Sequence, residues 1–229
     1  MRVDLRHNPS WTVARCVLAP GEQMKAESGA MLAHSAGISI EAKMEGGLMA
    51  GLRRSVLGGE SMFMTTYTAP HNGGWVDVAA NLPGDAITID LEPGQDRFLL
   101  TKGCWLANSV GVGIDTKWGG ARNLFGGEGG FLVEATGHGV VVASCFGALD
   151  VIDLEAGEQV VVDTGHVVAY APTIAYNIRR AVQGRSIQSM KSGEGFVFEF
   201  TGPGRVLAQS RNPSGLLGYI GANLPGGRA

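Results

Sequence analysis

The sequence contains few charged residues and no long apolar run. Aspartate, glutamate, lysine and arginine make up 17% of the 229 residues, whereas about 25% is usual in soluble proteins. The formal net charge is −3, so the chain lacks the clustered positive charge by which proteins bind nucleic acids. No apolar run approaches the roughly 18 residues that a membrane-spanning helix requires. We therefore expect neither a nucleic-acid partner nor a membrane span.

Cysteine is also scarce. Cys16, Cys104 and Cys145 are odd in number, lie far apart and form no C-x-x-C pattern. This usage is typical of small buried apolar side chains in a reducing compartment, and it argues against a disulfide framework or a zinc site. The first residues of the chain lack the apolar segment of a signal peptide, and we see no transit peptide. We therefore expect a cytoplasmic protein.

Glycine, by contrast, is abundant. The chain has 36 glycines and 9 prolines, while hydrophobic residues still account for 45% of it. Such a chain can bury a substantial core, so it is neither a disordered segment nor a coiled coil. The composition indicates many short elements that are joined by tight turns.

One five-residue pattern occurs three times. It begins at Leu18 with Leu-Ala-Pro-Gly-Glu, and it returns at Leu91 and at Leu154. Eight or nine residues after its glycine, each copy is followed by a second pattern, and these are Gly29-Ala-Met-Leu-Ala33, Gly103-Cys-Trp-Leu-Ala107 and Gly165-His-Val-Val-Ala169. Repetition in the same order indicates internal duplication.

A Gly-Glu pair repeats with the same period. Its glutamates, Glu60, Glu128 and Glu194, lie 68 and 66 residues apart. We infer one compact domain of three internally duplicated units of about 65–70 residues each. The first unit covers approximately 10–80, the second 81–145 and the third 146–212, and a C-terminal tail, 213–229, contains a short helix over Pro213–Ile220.

The pattern within each unit is that of β-strands. Ile38–Lys43 and Trp75–Ala79 alternate between apolar and polar residues, and Phe196–Phe200 is an aromatic strand. Val140–Ala143 and Val160–Val162 are typical of short strands that are buried on both faces. Closely spaced strands with glycine turns predict an all-β sandwich or barrel. Three copies predict a pseudo-threefold assembly of the units around one shared core.

Several of these motifs resemble those of the altered inheritance of mitochondria family. They are Gly58-Gly-Glu-Ser61, Leu82-Pro-Gly-Asp85, Asp115-Thr-Lys-Trp118, Gly127-Glu-Gly129, Val162-Asp-Thr-Gly-His166, Ser192-Gly-Glu-Gly195 and Gly202-Pro-Gly-Arg205. The resemblance extends from about Val13 to Ile220. It implies an all-β fold similar to the tryptophan RNA-binding attenuation protein, of the double-stranded β-helix type. It also implies a homo-oligomer, with a trimer as the expected form, and it implies no reaction.

The glutamates of the Gly-Glu pairs are the first candidate site. A threefold axis would bring Glu60, Glu128 and Glu194 together, and convergent carboxylates bind cations. The alternative is structural, because a glutamate in a repeated turn can accept a hydrogen bond from a backbone amide. The sequence leaves both interpretations open.

Asp163 and His166 are the second candidate site. Three residues apart in a turn, they lie within reach of a hydrogen bond, and such a pair can act as a general base. No nucleophile accompanies them in the sequence. The alternative is an Asp-Thr-Gly turn in which the aspartate bonds to the backbone.

No motif of a cofactor-dependent or hydrolytic enzyme is present. The chain has no Walker loop and no Gly-x-Ser-x-Gly elbow, and Gly111-Val-Gly113 lacks the third glycine of a dinucleotide loop. We expect no cofactor, no metal and no enzymatic activity. The predicted function is a binding or scaffold protein that acts as a homo-oligomer, with an unidentified protein partner also allowed. The alternatives are a module that binds a small ligand or cation between units, and a hydrolase that uses Asp163 and His166.

Overall fold

The computed structural model of the chain describes residues 1–44, 63–93, 97–101, 103–118, 131–181 and 195–224. The strands before and within the first predicted unit are β1 (Arg2–Arg6), β2 (Val13–Leu18), β3 (Gln23–Glu27), β4 (Met31–His34), β5 (Ser39–Met44), β6 (Phe63–Thr68) and β7 (Gly74–Ala79). Those of the second are β8 (Ala86–Leu91), β9 (Phe98–Thr101), β10 (Trp105–Ser109), β11 (Val112–Trp118), β12 (Phe131–Gly137) and β13 (Gly139–Ser144). Those of the third are β14 (Leu149–Leu154), β15 (Gln159–Asp163), β16 (Val167–Tyr170), β17 (Ala175–Arg180), β18 (Phe196–Thr201) and β19 (Gly204–Gln209). A 3-10 turn, Thr164–His166, precedes β16, and the helix α1 (Pro213–Asn223) follows β19.

These strands form four sheets. Their orders are β1-β2-β7-β4, β5-β6-β3-β10-β13-β8, β11-β12-β9-β16-β19-β14 and β15-β18-β17. The two six-stranded sheets have the same order with every strand number raised by six. Each of them joins three strands of one predicted unit to three strands of the next, and the two joining pairs, β3 with β10 and β9 with β16, are antiparallel.

The all-β prediction is confirmed. The four sheets that the described residues form are open, each with two edge strands, so they make up packed layers and not a closed barrel. Among the individual strands, β15 differs from our expectation. Val161 is exposed, because β15 is an edge strand and is not buried on both faces as the run of valines suggested.

Three apolar clusters make up the core of the described residues, and each contains residues of at least two of the predicted units. The first surrounds Met24 and Tyr67 of the first unit and includes Leu106 of the second. The next contains Trp105 together with Val168 of the third unit. Neighbouring units therefore complete each other's cores, which is typical of stacked repeats.

The third cluster is aromatic. The rings of Phe198 and Phe200 stack with their centroids 5.1 Å apart, and Tyr170 lies 5.1 Å from Phe200. Leu132 of the second unit completes this cluster. The predicted aromatic strand Phe196–Phe200 thus lies in β18 and supplies the core of the third unit.

The eight edge strands of the four sheets differ in charge. Six of them contain acidic or basic residues, namely Arg2, Asp4 and Arg6 in β1, Glu41 in β5, Asp90 in β8, Asp115 in β11, Asp150 and Asp153 in β14, and Arg179 and Arg180 in β17. The other two are β4, which has no Asp, Glu, Lys or Arg and ends at His34, and β15, where Asp163 is the last residue. Charged side chains on an edge prevent pairing with another strand. The edges of β4 and of the central residues of β15 lack that protection.

Candidate functional site

The turn between β15 and β16 contains Asp163 and His166. Asp163 caps the 3-10 turn, since its carboxylate oxygen Oδ1 accepts a hydrogen bond from the Gly165 amide at 2.8 Å. The Nδ1 atom of His166 donates to the carbonyl oxygen of Gln209 at 2.7 Å. In the described part of the chain, both side chains therefore bond to backbone atoms and no hydrogen bond joins them.

Gln209 and Asn212 hold this turn against the end of β19. The buried Gln209 side chain donates through Nε2 to the Gly165 carbonyl oxygen at 2.9 Å and accepts from the Phe146 amide at 2.9 Å. Gly165 lies so close to Asn212 that a Cβ atom there would collide with the asparagine side chain. The Asn212 side chain in turn caps α1 by accepting from the Ser214 amide at 2.9 Å. Asp163 and Gly165 thus position the start of α1.

The chemistry open to His166 follows from its hydrogen bond. Because Nδ1 donates to a carbonyl, Nε2 of the neutral ring carries the lone pair and can accept a proton. Among the described residues, no serine, threonine or cysteine side chain bonds to this imidazole. The arrangement therefore offers a base without a nucleophile.

The three glutamates of the repeated Gly-Glu pairs lie outside the described residues. No three His, Cys, Asp or Glu side chains converge as metal ligands within the ranges that the structure covers. A related Gly-Glu pair is visible in the turns that precede β3 and β15. There Glu22 accepts from the Ala19 amide at 2.7 Å and Glu158 accepts from the Glu155 amide at 2.9 Å.

Sequence reasoning missed a buried ionic cluster in the first unit. Asp77 in β7 is buried, and its carboxylate accepts hydrogen bonds from Arg6 in β1 at 2.7 Å and from Arg15 in β2 at 2.8 and 2.9 Å. The Arg15 guanidinium also lies 3.9 Å from the centre of the Trp75 ring. A comparison of the units could have found this cluster, because the positions that correspond to Asp77 are Val142 and Leu207.

Asp77 stays ionised despite its burial. Removal from water raises the pKa of this carboxyl, but the hydrogen bonds and positive charges of Arg15 and Arg6 outweigh that effect and lower its pKa below the ordinary value. The cluster therefore stabilises the fold as a set of paired charges. Its aspartate is not suited to be a general base, because it holds its proton too weakly.

The helix α1 presents an apolar surface. None of its residues is buried, and Leu217, Tyr219 and Ile220 are exposed. The helix expected over Pro213–Ile220 is confirmed and extends to Asn223. Among the described helices, none is long and apolar enough to cross a membrane.

Comparisons with known proteins agree with the motifs. A family model described as mitochondrial biogenesis AIM24 matches residues 3–211. The chain is 29% identical over 234 residues to an uncharacterised protein of Streptococcus pyogenes serotype M6, covering 98% of this chain and 92% of that one. It also resembles a crystal structure of a Streptococcus pyogenes protein, with a TM-score of 0.80, 27% identity, and coverage of 97% of this chain and 99% of the other.

Proposed function

The chain belongs to the AIM24 family, and on that premise we propose that it is a non-enzymatic scaffold that acts as a homo-oligomer, with a trimer as the expected form. The observation that carries this proposal is α1, an apolar helix with no buried residue in its own chain. Apolar surface of this kind is typical of sites where another protein binds. We assign α1 to the contact with a neighbouring copy.

The geometry of the Asp163–His166 turn supports the non-enzymatic part of the proposal. Its hydrogen bonds fix the start of α1, so these residues have a structural use that requires no reaction. The hydrolase interpretation, in contrast, requires a nucleophile beside His166. An esterase and phosphoesterase panel tests this, and turnover that disappears in His166→Ala would overturn the proposal.

The sheet orders support the three-unit organisation. The two six-stranded sheets repeat each other with a shift of six strands, as duplication of one unit would produce. We propose that the units are related by a pseudo-threefold arrangement of the attenuation-protein type. The three cysteines Cys16, Cys104 and Cys145 are unpaired and buried, which fits our proposal that the scaffold works in the cytoplasm.

Native mass spectrometry of the full chain tests the oligomer. We expect a single multiple of 23.9 kDa without additional mass. A monomer at all concentrations would overturn the homo-oligomer. Additional mass that survives desalting would instead favour the small-ligand alternative.

Leu217→Glu tests the role of α1. A buried charge in the contact should shift the oligomer toward single chains, because an unpaired charge is costly to desolvate. The matched control is Val110→Glu, which places the same charge at another exposed apolar position, and it should leave the mass distribution unchanged. Equal behaviour of the two variants would exclude α1 from the contact.

A further inference from the structure

Two strand pairings inside the chain connect the units. The second strand of the first unit, β3, pairs with β10, the third strand of the second unit, so that Ala107 lies opposite Ala26. The second strand of the second unit, β9, pairs in the same way with β16, and Ala169 lies opposite Leu100. Ala107 and Ala169 occupy corresponding positions in the repeated pattern. The two junctions therefore use the same strands in the same register.

If all three units followed this pairing, one strand of the first unit and one of the third would remain without a partner. The second strand of the third unit is β15 and the third strand of the first unit is β4. Within the described residues, both stand at the edge of a sheet, β15 beside β18 and β4 beside β7. Among the described strands, neither edge has the partner that the corresponding strand has at an internal junction.

Burial supports this comparison. Leu106 and Val168, which immediately precede the first paired residue of each internal junction, are buried. Leu32 is the corresponding residue of β4 and is 61% exposed. Val161, in the middle of β15, is 49% exposed. Exposed apolar side chains thus lie on both unpaired edges, and for β4 the corresponding residues beside the internal junctions are buried.

Charge points the same way. The six other edge strands carry acidic or basic residues, which discourage the addition of a strand. β4 has no Asp, Glu, Lys or Arg and carries only His34, and β15 has three consecutive valines before its terminal Asp163. These two edges are the ones at which the described sheets can accept another strand.

We propose that β4 of one copy of the chain pairs with β15 of a second copy, and that this pairing continues the internal junctions from chain to chain. The proposal rests on the homo-oligomer proposed above and names its contact. The register of the internal junctions places Ala33 opposite Val162 and His34 opposite Val161 of the next copy. Since Asn212 lies against Gly165, α1 begins beside the end of β15, and both belong to one surface. Such a head-to-tail contact generates a closed ring, such as a trimer, or an open filament.

Disulfide trapping between two single variants tests the register. Residues directly opposite in an antiparallel pair have Cα atoms about 4.5–5.5 Å apart, which is within the range of a disulfide. We expect a mixture of H34C and V161C chains to give a dimer under mild oxidation that disappears on reduction. Because each chain carries one introduced cysteine, the product should stop at the dimer. The double variant should form longer oligomers or rings.

The native cysteines do not compete in this experiment. Burial is the main cause that raises the pKa of the Cys16 and Cys104 thiols to about 12 and that of Cys145 to about 11. They are therefore not thiolates at neutral pH, and the thiolate is the reactive form. The wild type, oxidised in parallel, should stay uncrosslinked.

Each other outcome overturns the proposal. Crosslinking of H34C or V161C alone would indicate a symmetric contact. A disulfide in the double variant that leaves the mass at one chain would show that β4 and β15 meet within the chain. An oligomer that gives no disulfide in the mixture would exclude this pairing and leave the proposed homo-oligomer standing. A monomer at every concentration would overturn both the β4–β15 pairing and the homo-oligomer.

A charge on the edge provides a second test that does not depend on oxidation. Leu32→Lys should raise the dissociation constant of the oligomer by about tenfold or more, because the corresponding Leu106 and Val168 are buried beside the internal junctions and a charge in such a place is costly to desolvate. The matched control is Val151→Lys, because Val151 is 43% exposed on another edge strand, β14. Sedimentation velocity measures association, and circular dichroism checks that both variants fold. Equal dissociation constants for the two variants would overturn the proposal.

Discussion

The third strands of the first and second units carry the same sequence pattern but lie in different surroundings. Trp105 in β10 is 1% exposed, whereas Met31 at the corresponding position of β4 is 36% exposed. β10 lies between β13 and β3, while β4 is the edge of its sheet among the described residues. The difference shows that the neighbouring unit, and not the strand's own pattern, determines burial at this position.

The strands that pair with β4, β10 and β16 also differ between the units, at one corresponding position. Asp77, Val142 and Leu207 lie in register with Ala33, Ala107 and Ala169. Val142 and Leu207 belong to apolar clusters that are shared by two units. In the first unit, the same position holds an aspartate that is paired with two arginines. The aspartate is buried, but both arginines reach water, so the first unit carries charge where the other two carry apolar contacts.

Trp105 and Met31 occupy corresponding positions, and replacing each by alanine should give the largest difference in the free energy of unfolding. Trp105→Ala removes a buried indole whose Nε1 donates to Asn108 at 3.0 Å, and we expect it to lower the free energy of unfolding by about 4 kcal/mol. Met31→Ala should cost less than about 1 kcal/mol. Urea denaturation at two protein concentrations measures both values and separates the effect of association. If Met31→Ala lowered the free energy of unfolding as much as Trp105→Ala at low protein concentration, β4 would be covered within its own chain.

Asp77→Asn should have the next largest effect. It leaves two arginines without their carboxylate, and we expect a loss of about 2–3 kcal/mol, moderated because both guanidinium groups reach water. The pKa of Asp77 is lowered in the folded state, so its contribution is present above the pKa of about 4 of the unfolded chain and is lost as the pH falls through the lower folded value. The difference between wild type and variant should therefore shrink under acid conditions.

Denaturation curves recorded from pH 7 to pH 2 provide the measurement for this cluster. Val142→Ala is the control, because it removes apolar contacts at the corresponding position and should show no comparable pH dependence. A constant difference between wild type and Asp77→Asn across this range would contradict the ionic role of the aspartate.

The Gly-Glu turns of the first and third units should give the smallest effects. Glu158→Ala removes one hydrogen bond to an exposed turn, which should cost about 0.5 kcal/mol. Glu22→Ala should cost about 1 kcal/mol, because Glu22 also pairs with the terminal ammonium of Met1. Thermal denaturation ranks the two variants, and a larger loss for Glu158→Ala would contradict this account of the turns.

Much of the fold could be predicted because it depends on local patterns. Alternation identified β5 and β7, the aromatic run identified β18, and the glycine turns marked where strands end. The site was less predictable. Asp163 and His166 are neighbours in the sequence, yet their hydrogen-bond partners include Gln209, more than forty residues away along the chain. Spacing along the sequence could not indicate that the turn serves to hold α1.

The sequence by itself determined the strands, the turns and the family, because these follow from the preferences of residues that are close together in the chain. Only the tertiary structure decided which strands became edges. The run Val160–Val162 has the composition of a buried strand, but its burial depends on whether a partner strand arrives from elsewhere. Likewise, Asp77 is a stable buried charge because folding brings Arg6 and Arg15, from two other strands, to its carboxylate.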